Sequence, residues 1–269
     1  MNAAEVRNRL ESLGVRARKG LGQHFLTDER VAHRQVEYAG VAADDVVLEI
    51  GPGLGVLTRL LLRKAAKVVA VEKDQKLARG LRELDGNLEI LEGDAVKVPL
   101  PRFDKVVSNL PFQISSPITF RLLEVPFDRA VLMYQDEFAR RLVARRGDED
   151  YSRLSVKTYV RARTGIIERV PRSAFWPQPK VDSAIVLLEP RPAPFRVADW
   201  AVFDAVVDAT FQHRRKAIEN ALRLSWERFA PSEETLKVRL KAAPFRRRRP
   251  EELTPAEFGE LADALAAEG

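Results

Sequence analysis

Val46-Val47-Leu48-Glu49-Ile50-Gly51-Pro52-Gly53-Leu54-Gly55 is the stretch that decides the fold. Its first five residues are a continuous apolar run of strand length, interrupted by one acid. Glycines at alternate positions follow. From Val56 to Lys67 the leucines at 57, 60 and 61 recur on one helix face. Strand, glycine turn and helix in that order open a nucleotide-type α/β fold. Glycine lets the backbone approach a ligand with no Cβ in the way. A dinucleotide fingerprint would place Gly or Ala where Val56 stands, so this turn is of another kind.

Working outward, Lys67-Val68-Val69-Ala70-Val71-Glu72 reads as the second strand, ending in an acid 21 residues after Gly51. An acid at that place can take both hydroxyls of a ribose. Leu88 to Ala95 reads as the third strand, with Asp94 placed to accept from an adenine amino group. Gly51 and Gly53, Glu72 and Asp94 thus fall at successive strand ends, where open α/β sheets bind nucleosides. A G-x-G-x-G turn after an acid is the form used by S-adenosylmethionine enzymes.

Lys105 to Phe112 reads as the fourth strand and ends in Ser108-Asn109-Leu110-Pro111-Phe112. An exocyclic amine on adenine is a poor nucleophile, because its lone pair is delocalised into the ring. A site that methylates it must accept its N–H bonds and draw the nitrogen toward tetrahedral geometry. The Asn109 amide oxygen and a carbonyl near Leu110 are suited to this. Pro111 fixes the turn without a competing N–H, and Phe112 offers a face for stacking, worth about 1–3 kcal/mol per base. Taken singly, such residues are more often a turn Asn and a core Phe.

Residues 115–125 and Asp136 to Arg146 have helical spacing, and Arg129 to Gln135 reads as a fifth strand. Ile166-Ile167 and Ser183 to Leu188 read as an antiparallel pair at the sheet edge. Between them Phe175-Trp176-Pro177-Gln178-Pro179-Lys180-Val181 is a stiff loop, and Phe175 can face a flipped base from the other side. Upstream, residues 5–14 read as a helix. Arg16, Arg18 and Lys19 form a basic patch, and Gly20-Leu21-Gly22-Gln23-His24-Phe25-Leu26 is a loop before a helix capped by Thr27 or Asp28.

Three prolines in Pro190-Arg191-Pro192-Ala193-Pro194 mark a boundary. The expected domains are 1–190, a Rossmann-like α/β sheet, and 191–269, small and all-helical. Trp200, Phe203, Val207 and Phe211 share a face in the second. Residues 196–250 hold 13 Lys and Arg against 7 Asp and Glu, including Arg214-Arg215-Lys216 and Arg246 to Arg249. Two basic clusters in one small domain point to an anionic partner. The chain has no Cys and three His, which argues against disulfides and thiolate chemistry and against a resident metal. No run of about 18 apolar residues suggests a membrane span, and the first residues lack a signal-peptide pattern. A cytoplasmic protein is expected.

These residues together resemble one family, the small-subunit ribosomal RNA adenine N6,N6-dimethyltransferases. The likeness spans nearly the whole chain. It rests on Gly22-Gln23-His24-Phe25-Leu26, Glu49-x-Gly51-Pro52-Gly53-x-Gly55, Glu72, Gly93-Asp94-Ala95 and Asn109-Leu110-Pro111-Phe112. It also rests on Phe175-x-Pro177-x-Pro179-Lys180-Val181-x-Ser183 and Phe211-Gln212-x-Arg214-Arg215-Lys216, which generic methyltransferases lack. His24, Tyr134-Gln135 and Leu253-Thr254-Pro255 are most similar to the archaeal branch.

The resemblance implies S-adenosyl-L-methionine as donor. It implies His24, Leu26, Gly51, Glu72, Asp94 and Asn109 around it, with Gln23 and Ala95 nearby. It implies two adjacent adenosines near the 3′ end of small-subunit rRNA, each methylated twice. The partner is the rRNA itself or a pre-ribosomal small subunit, the particle being expected because a flipped-base site reads shape around its target, and Lys180, Arg214, Arg215 and Lys216 are the candidate RNA contacts. His24 stands where many bacterial members carry Asn, and Phe112 where Tyr is common. Competing readings are a large-subunit rRNA methyltransferase, which lacks this form of C-terminal domain, a non-catalytic assembly or transcription factor, and a DNA adenine methyltransferase. A monomer is expected, and the Cys-free, Arg-rich composition hints at a thermophile.

Overall fold

The computed structural model describes residues 1–15 and 23–266. The basic patch at Arg16, Arg18 and Lys19 and the glycines 20 and 22 lie outside the described residues. The chain divides into two compact units, residues 1–139 with 163–190, and residues 140–162 with 191–269.

The first unit begins with α1 (Ala3–Ser12), β1 (Phe25–Leu26) and α2 (Glu29–Ala39), capped by Asp28, which accepts from the Arg30 amide. There follow β2 (Val46–Ile50), α3 (Val56–Leu62), β3 (Lys67–Glu72), α4 (Gln75–Leu81), β4 (Leu88–Glu92) and β5 (Lys105–Asn109). Next come α5 (Ser115–Leu122), β6 (Arg129–Gln135) and α6 (Asp136–Val143), which straddles the division between units. After α7 (Arg153–Arg161) of the second unit, β7 (Ala162–Val170), β8 (Phe175–Trp176) and β9 (Ser183–Pro190) complete the first.

Seven strands form one sheet in the order β4-β3-β2-β5-β6-β9-β7. β2 runs parallel to β3 and β5, β3 to β4, and β5 to β6, while β9 is antiparallel to β6. The central strands are buried apolar runs, as strands covered on both faces must be. Strand order reverses between β2 and β5, and such a switch point leaves a crevice at the carboxyl ends. Two buried polar groups hold that place in register. Ser108 Oγ accepts from the Ile50 amide at 2.8 Å, and Gln35 Nε2 of α2 donates to the Ser108 carbonyl at 3.0 Å.

Several expected ends move. β5 stops at Asn109, because Pro111 cannot donate to a ladder, and Phe112–Ile114 form a turn of 3-10 helix. β4 stops at Glu92, so Asp94 follows the strand rather than ending it. The helices after Gly55 and at Asp136 are shorter than expected, ending at Leu62 and Val143. The expected edge pair is longer, and β9 lies inside it, between β6 and β7.

The second unit comprises α7, α8 (Trp200–Gln212), α9 (Ile218–Arg223), α10 (Glu233–Ala242) and α11 (Pro255–Ala266). Its core includes Tyr151, Val156, Val160, Phe203, Val207, Leu222 and Phe258. The expected division into 1–190 and 191–269 therefore needs correction, since residues 140–162 belong with the second unit. The physical reason lies in α7. Its Val156 and Val160 are buried in this core, Lys157 pairs with Asp208 of α8 at 2.9 Å, and Arg161 pairs with Asp204 at 2.7 Å.

Candidate active site

A cavity of about 390 Å³ opens at the carboxyl ends of β2, β3, β4 and β5 in the first unit. Its size suits a nucleoside-sized ligand. Gln23, His24, Leu26, Gly51, Gly53, Glu72, Asp94, Ala95, Asn109, Leu110, Pro111, Phe112 and Phe175 all line it. The parallel strands that end at one level bring together the residues from Gly51 to Phe112, and the antiparallel pairing of β1 with β8 adds those at 23–26 and Phe175.

The glycine turn shapes one wall. Gly51 has φ +68° and its amide donates to the Val71 carbonyl at 2.9 Å. Gly53 donates to Glu72 Oε2 at 3.2 Å, so the turn and the end of β3 are bonded to each other. Glu72 Oε1 also accepts from the Asp74 amide at 2.9 Å. Burial pushes the Glu72 carboxyl up, and these backbone amides act against the shift.

Asp94 is held differently. It accepts from Lys73 Nζ and from the Val96 amide, each at 3.0 Å, and these hydrogen bonds, that from Lys73 first, hold its carboxyl below the usual carboxylate range. The loop that carries it is braced from α5, where the Arg121 guanidinium donates to the carbonyls of Ala95 and Val98. Gly93 turns out of β4 at φ +152°, and a Cβ there would lie 2.5 Å from Val98 Cγ1.

Asn109 ends β5 with its Oδ1 buried and without a hydrogen-bond partner. A buried acceptor left unpaired costs about 1–3 kcal/mol, so its persistence in a cavity wall calls for a donor from a ligand. Phe112 is half-buried beside it. His24 packs against Phe112 with ring centroids 5.6 Å apart and a tilt of 32°, and its Nδ1 lies 2.6 Å from the Pro177 carbonyl. That carbonyl can only accept, so Nδ1 carries the proton. β1 pairs with β8 through Phe25–Trp176 and Leu26–Phe175, which places Phe175 on the cavity, its ring 4 % exposed.

Lys180 is exposed and does not line the cavity. In the second unit Arg215 and Lys216 are exposed, while Arg214 is already engaged by the Glu149 carbonyl at 3.3 Å and by Glu251 at 3.9 Å. The run Arg246 to Arg249 is partly a strap. The carbonyls of Arg246 and Arg248 accept from Glu219 and Ile218 at 2.9 Å, and Arg248 pairs with Glu257 at 2.8 Å.

Two residues given no role of their own by the sequence reading bear on this site, Arg121 by bracing its wall and Glu49, part of the glycine motif, by lining it. Arg121 has no sequence signal. Glu49 had one, being the lone acid in a buried apolar strand. It lines the cavity at 2 % exposure, Oε2 has no hydrogen-bond partner, and burial pushes its carboxyl up to about 8. The neighbouring Thr58 hydroxyl pulls the other way, and the charge of Glu72 adds to the rise. Among the described residues no cation pairs with Glu49 or Glu72, and no cluster of His, Asp and Glu could hold a metal ion. No helix among them is long and apolar enough to cross a membrane.

Residues 14–242 match the profile described as ribosomal RNA adenine dimethylase. A probable ribosomal RNA small subunit methyltransferase A of Thermococcus onnurineus is 47 % identical over 95 % of this chain and 96 % of its own. The protein of the same description from Methanosarcina barkeri is 47 % identical over 90 % of this chain and 86 % of its own. Among solved structures, a dimethyladenosine transferase from Plasmodium falciparum has a TM-score of 0.74 at 31 % identity, covering 88 % of this chain and 96 % of that one. The 23S rRNA methyltransferase ErmE has a TM-score of 0.65 at 32 % identity, covering 90 % of this chain and 100 % of that one. A large-subunit enzyme that aligns so fully means the helical second unit does not by itself separate the two RNA substrates.

Proposed function

Because the chain belongs to the ribosomal RNA adenine dimethylase family, we propose that it transfers methyl groups from S-adenosyl-L-methionine to N6 of two adjacent adenosines near the 3′ end of small-subunit rRNA, two to each, during ribosome biogenesis in the cytoplasm. The observation that carries this reading is the unpartnered, buried Asn109 Oδ1 in the wall of a nucleoside-sized cavity.

The residues present fit both ligands. Gly51 and Gly53 keep the turn free of side chains, Glu72 offers carboxylate oxygens to a ribose, and Asp94 faces the same cavity with its charge held by Lys73. Gln23, His24, Leu26 and Ala95 supply the remaining wall of the donor site. When bound, the donor supplies an electrophilic methyl carbon, so no strong general base is needed for attack. Asn109 Oδ1 and the Leu110 carbonyl accept the N–H bonds of the target amine and favour the tetrahedral nitrogen. Pro111 holds that turn, and Phe112 and Phe175 stack on the base once it is flipped out. Lys180, Arg214, Arg215 and Lys216 contact RNA phosphates. The enzyme acts as a monomer on the pre-ribosomal small subunit, and no metal takes part.

Transfer of labelled methyl to unmethylated small subunits, with nuclease mapping of the product, tests the proposal. Dimethyladenosine at two neighbouring 3′-end positions is expected, falling by about 100-fold or more in Asn109→Ala. Binding to subunits without transfer would replace this reading with that of an assembly factor.

A further inference from the structure

We propose that Tyr134 is a positioning residue for methyl transfer, its hydroxyl acting through Thr119 and Ser115 to fix the turn that presents Phe112 to the target base. This rests on the reading of Phe112 as a stacking face. Tyr134 itself does not line the cavity. It is fully buried on β6, and Thr119 Oγ1 of α5 is its hydrogen-bond partner at 2.7 Å.

The direction of each bond in the chain follows from the proton count. Thr119 Oγ1 lies 2.6 Å from the Ser115 carbonyl, which can only accept. The one hydroxyl proton of Thr119 goes there, so Tyr134 must donate to Thr119. Ser115 Oγ in turn donates to the Phe112 carbonyl at 2.9 Å, and the Ser115 amide donates to the same oxygen. Burial pushes the Tyr134 phenol up, which keeps this donor protonated. The result is a directed chain from the interior of the sheet to the backbone of Phe112.

The turn depends on that chain because little else anchors it. From Pro111 to Ile114 no residue is buried, while Leu110 before it and Ser115 after it are. Its position is therefore set at its two ends. At one end Asn109 is the register partner of Met133 in the β5–β6 ladder. At the other the chain ends on Tyr134, the next residue of β6. Two adjacent residues of one strand thus hold both ends of the segment that carries Leu110, Pro111 and Phe112. The Tyr134 ring also stacks on Phe138, with centroids 4.9 Å apart and a tilt of 29°. Tyr134→Phe keeps that stack and removes only the hydroxyl.

Single-turnover transfer of labelled methyl to unmethylated small subunits, at saturating donor and subunit, reads the transfer step. Calorimetry reads S-adenosylmethionine affinity alongside it. Tyr134→Phe is expected to slow transfer about fivefold, the worth of one buried hydrogen bond, with donor affinity held within about twofold. Thr119→Val is expected to slow it at least as much, and Thr119→Ser, which keeps the hydroxyl, to restore it. In a Phe112→Leu background the ring through which Tyr134 acts is gone, so adding Tyr134→Phe is expected to cost less than about 1.5-fold more. Ser115→Ala removes the last bond of the chain from its other end and is read in the same way, so a poorly folded Tyr134→Phe leaves the test intact. An unchanged rate in Tyr134→Phe overturns the inference, as does a loss that repeats in full beside Phe112→Leu. Donor affinity falling in step with the rate also overturns it, since that marks a general loosening of the unit. Transfer at the wild-type rate by Phe112→Leu alone overturns the stacking reading instead.

Discussion

A Cβ added to Gly51 would lie 2.9 Å from Cγ of Pro111 and 3.0 Å from its Cδ. The glycine turn and the Asn-Leu-Pro-Phe strand end therefore pack so closely that no side chain fits between them at this point.

Gly51→Ala is accordingly expected to injure both sites. The backbone angle, φ +68°, is itself strained for alanine, and with the collision the cost in stability is about 1–3 kcal/mol. Thermal melting should show that loss. Calorimetry should show donor affinity reduced by more than about tenfold, since Pro111 has no rotamer with which to retreat.

Arg121→Met should act on the opposite wall. The substitution keeps an unbranched apolar stem and removes both donors to the Ala95 and Val98 carbonyls. Hydrogen exchange of the amides at 96–98 is expected to quicken, and donor affinity to fall by roughly tenfold, because charge-assisted bonds are worth about 1.5–3 kcal/mol. Unchanged exchange with weakened binding would mean that Arg121 serves the ligand by some other route.

The pH dependence of stability should have two limbs of opposite sign. Glu168 accepts from Arg34 Nε and from the Tyr38 hydroxyl, each at 2.9 Å, and the Arg34 bond holds its carboxyl below the usual range. Its contribution is present above the unfolded-state value and disappears as pH falls through the folded one. Glu168→Gln should cost about 1 kcal/mol at pH 7 and nothing in strong acid. Glu49 is raised instead, to about 8. Between the unfolded value of about 4.3 and that point, the folded state binds the extra proton, so stability falls as pH rises. Ligand-free wild type should melt lower at pH 8 than at pH 5.5, and Glu49→Gln should flatten that slope.

Among the cations of the second unit, Arg215 and Lys216 are exposed, whereas Arg214 is tied to Glu149 and Glu251. Alanine at 215 and at 216 should each reduce the salt dependence of RNA binding by close to one phosphate contact, a slope change of about 0.7–0.9. Alanine at 214 should change it less. Filter binding across a salt series separates these outcomes.

The parallel sheet and its ligand-bearing ends were legible because buried parallel strands leave mostly apolar runs of strand length, and each run here ends in or is followed by a polar residue or glycine. Every residue assigned by motif to the donor or the base lies on one cavity. The allegiance of α7 was not legible. An amphipathic stripe such as Val156 and Val160 says that a face is buried, and not against which partner. The proline segment at 190–194 marks only one of the places where the chain passes between units. Glu49 was visible as an acid in an apolar strand, yet only the structure shows its Oε2 buried with no hydrogen-bond partner among the described residues. Arg121 contacts backbone carbonyls, which carry no residue signature at all.

The pairing of β1 with β8 has a consequence for the order in which the protein can mature. His24 and Pro177, bonded to each other, stand 153 positions apart. A chain emerging from its N-terminus acquires the glycine turn, Glu72 and Asn109 well before it acquires Phe175. Until residue 177 has been synthesised the cavity lacks one side, and nascent protein is expected to hold the donor only weakly. Contacts of such long sequence separation also form late in refolding. Competence to bind thus arrives near the end of folding, which makes ligand affinity a sensitive report of a fully assembled first unit.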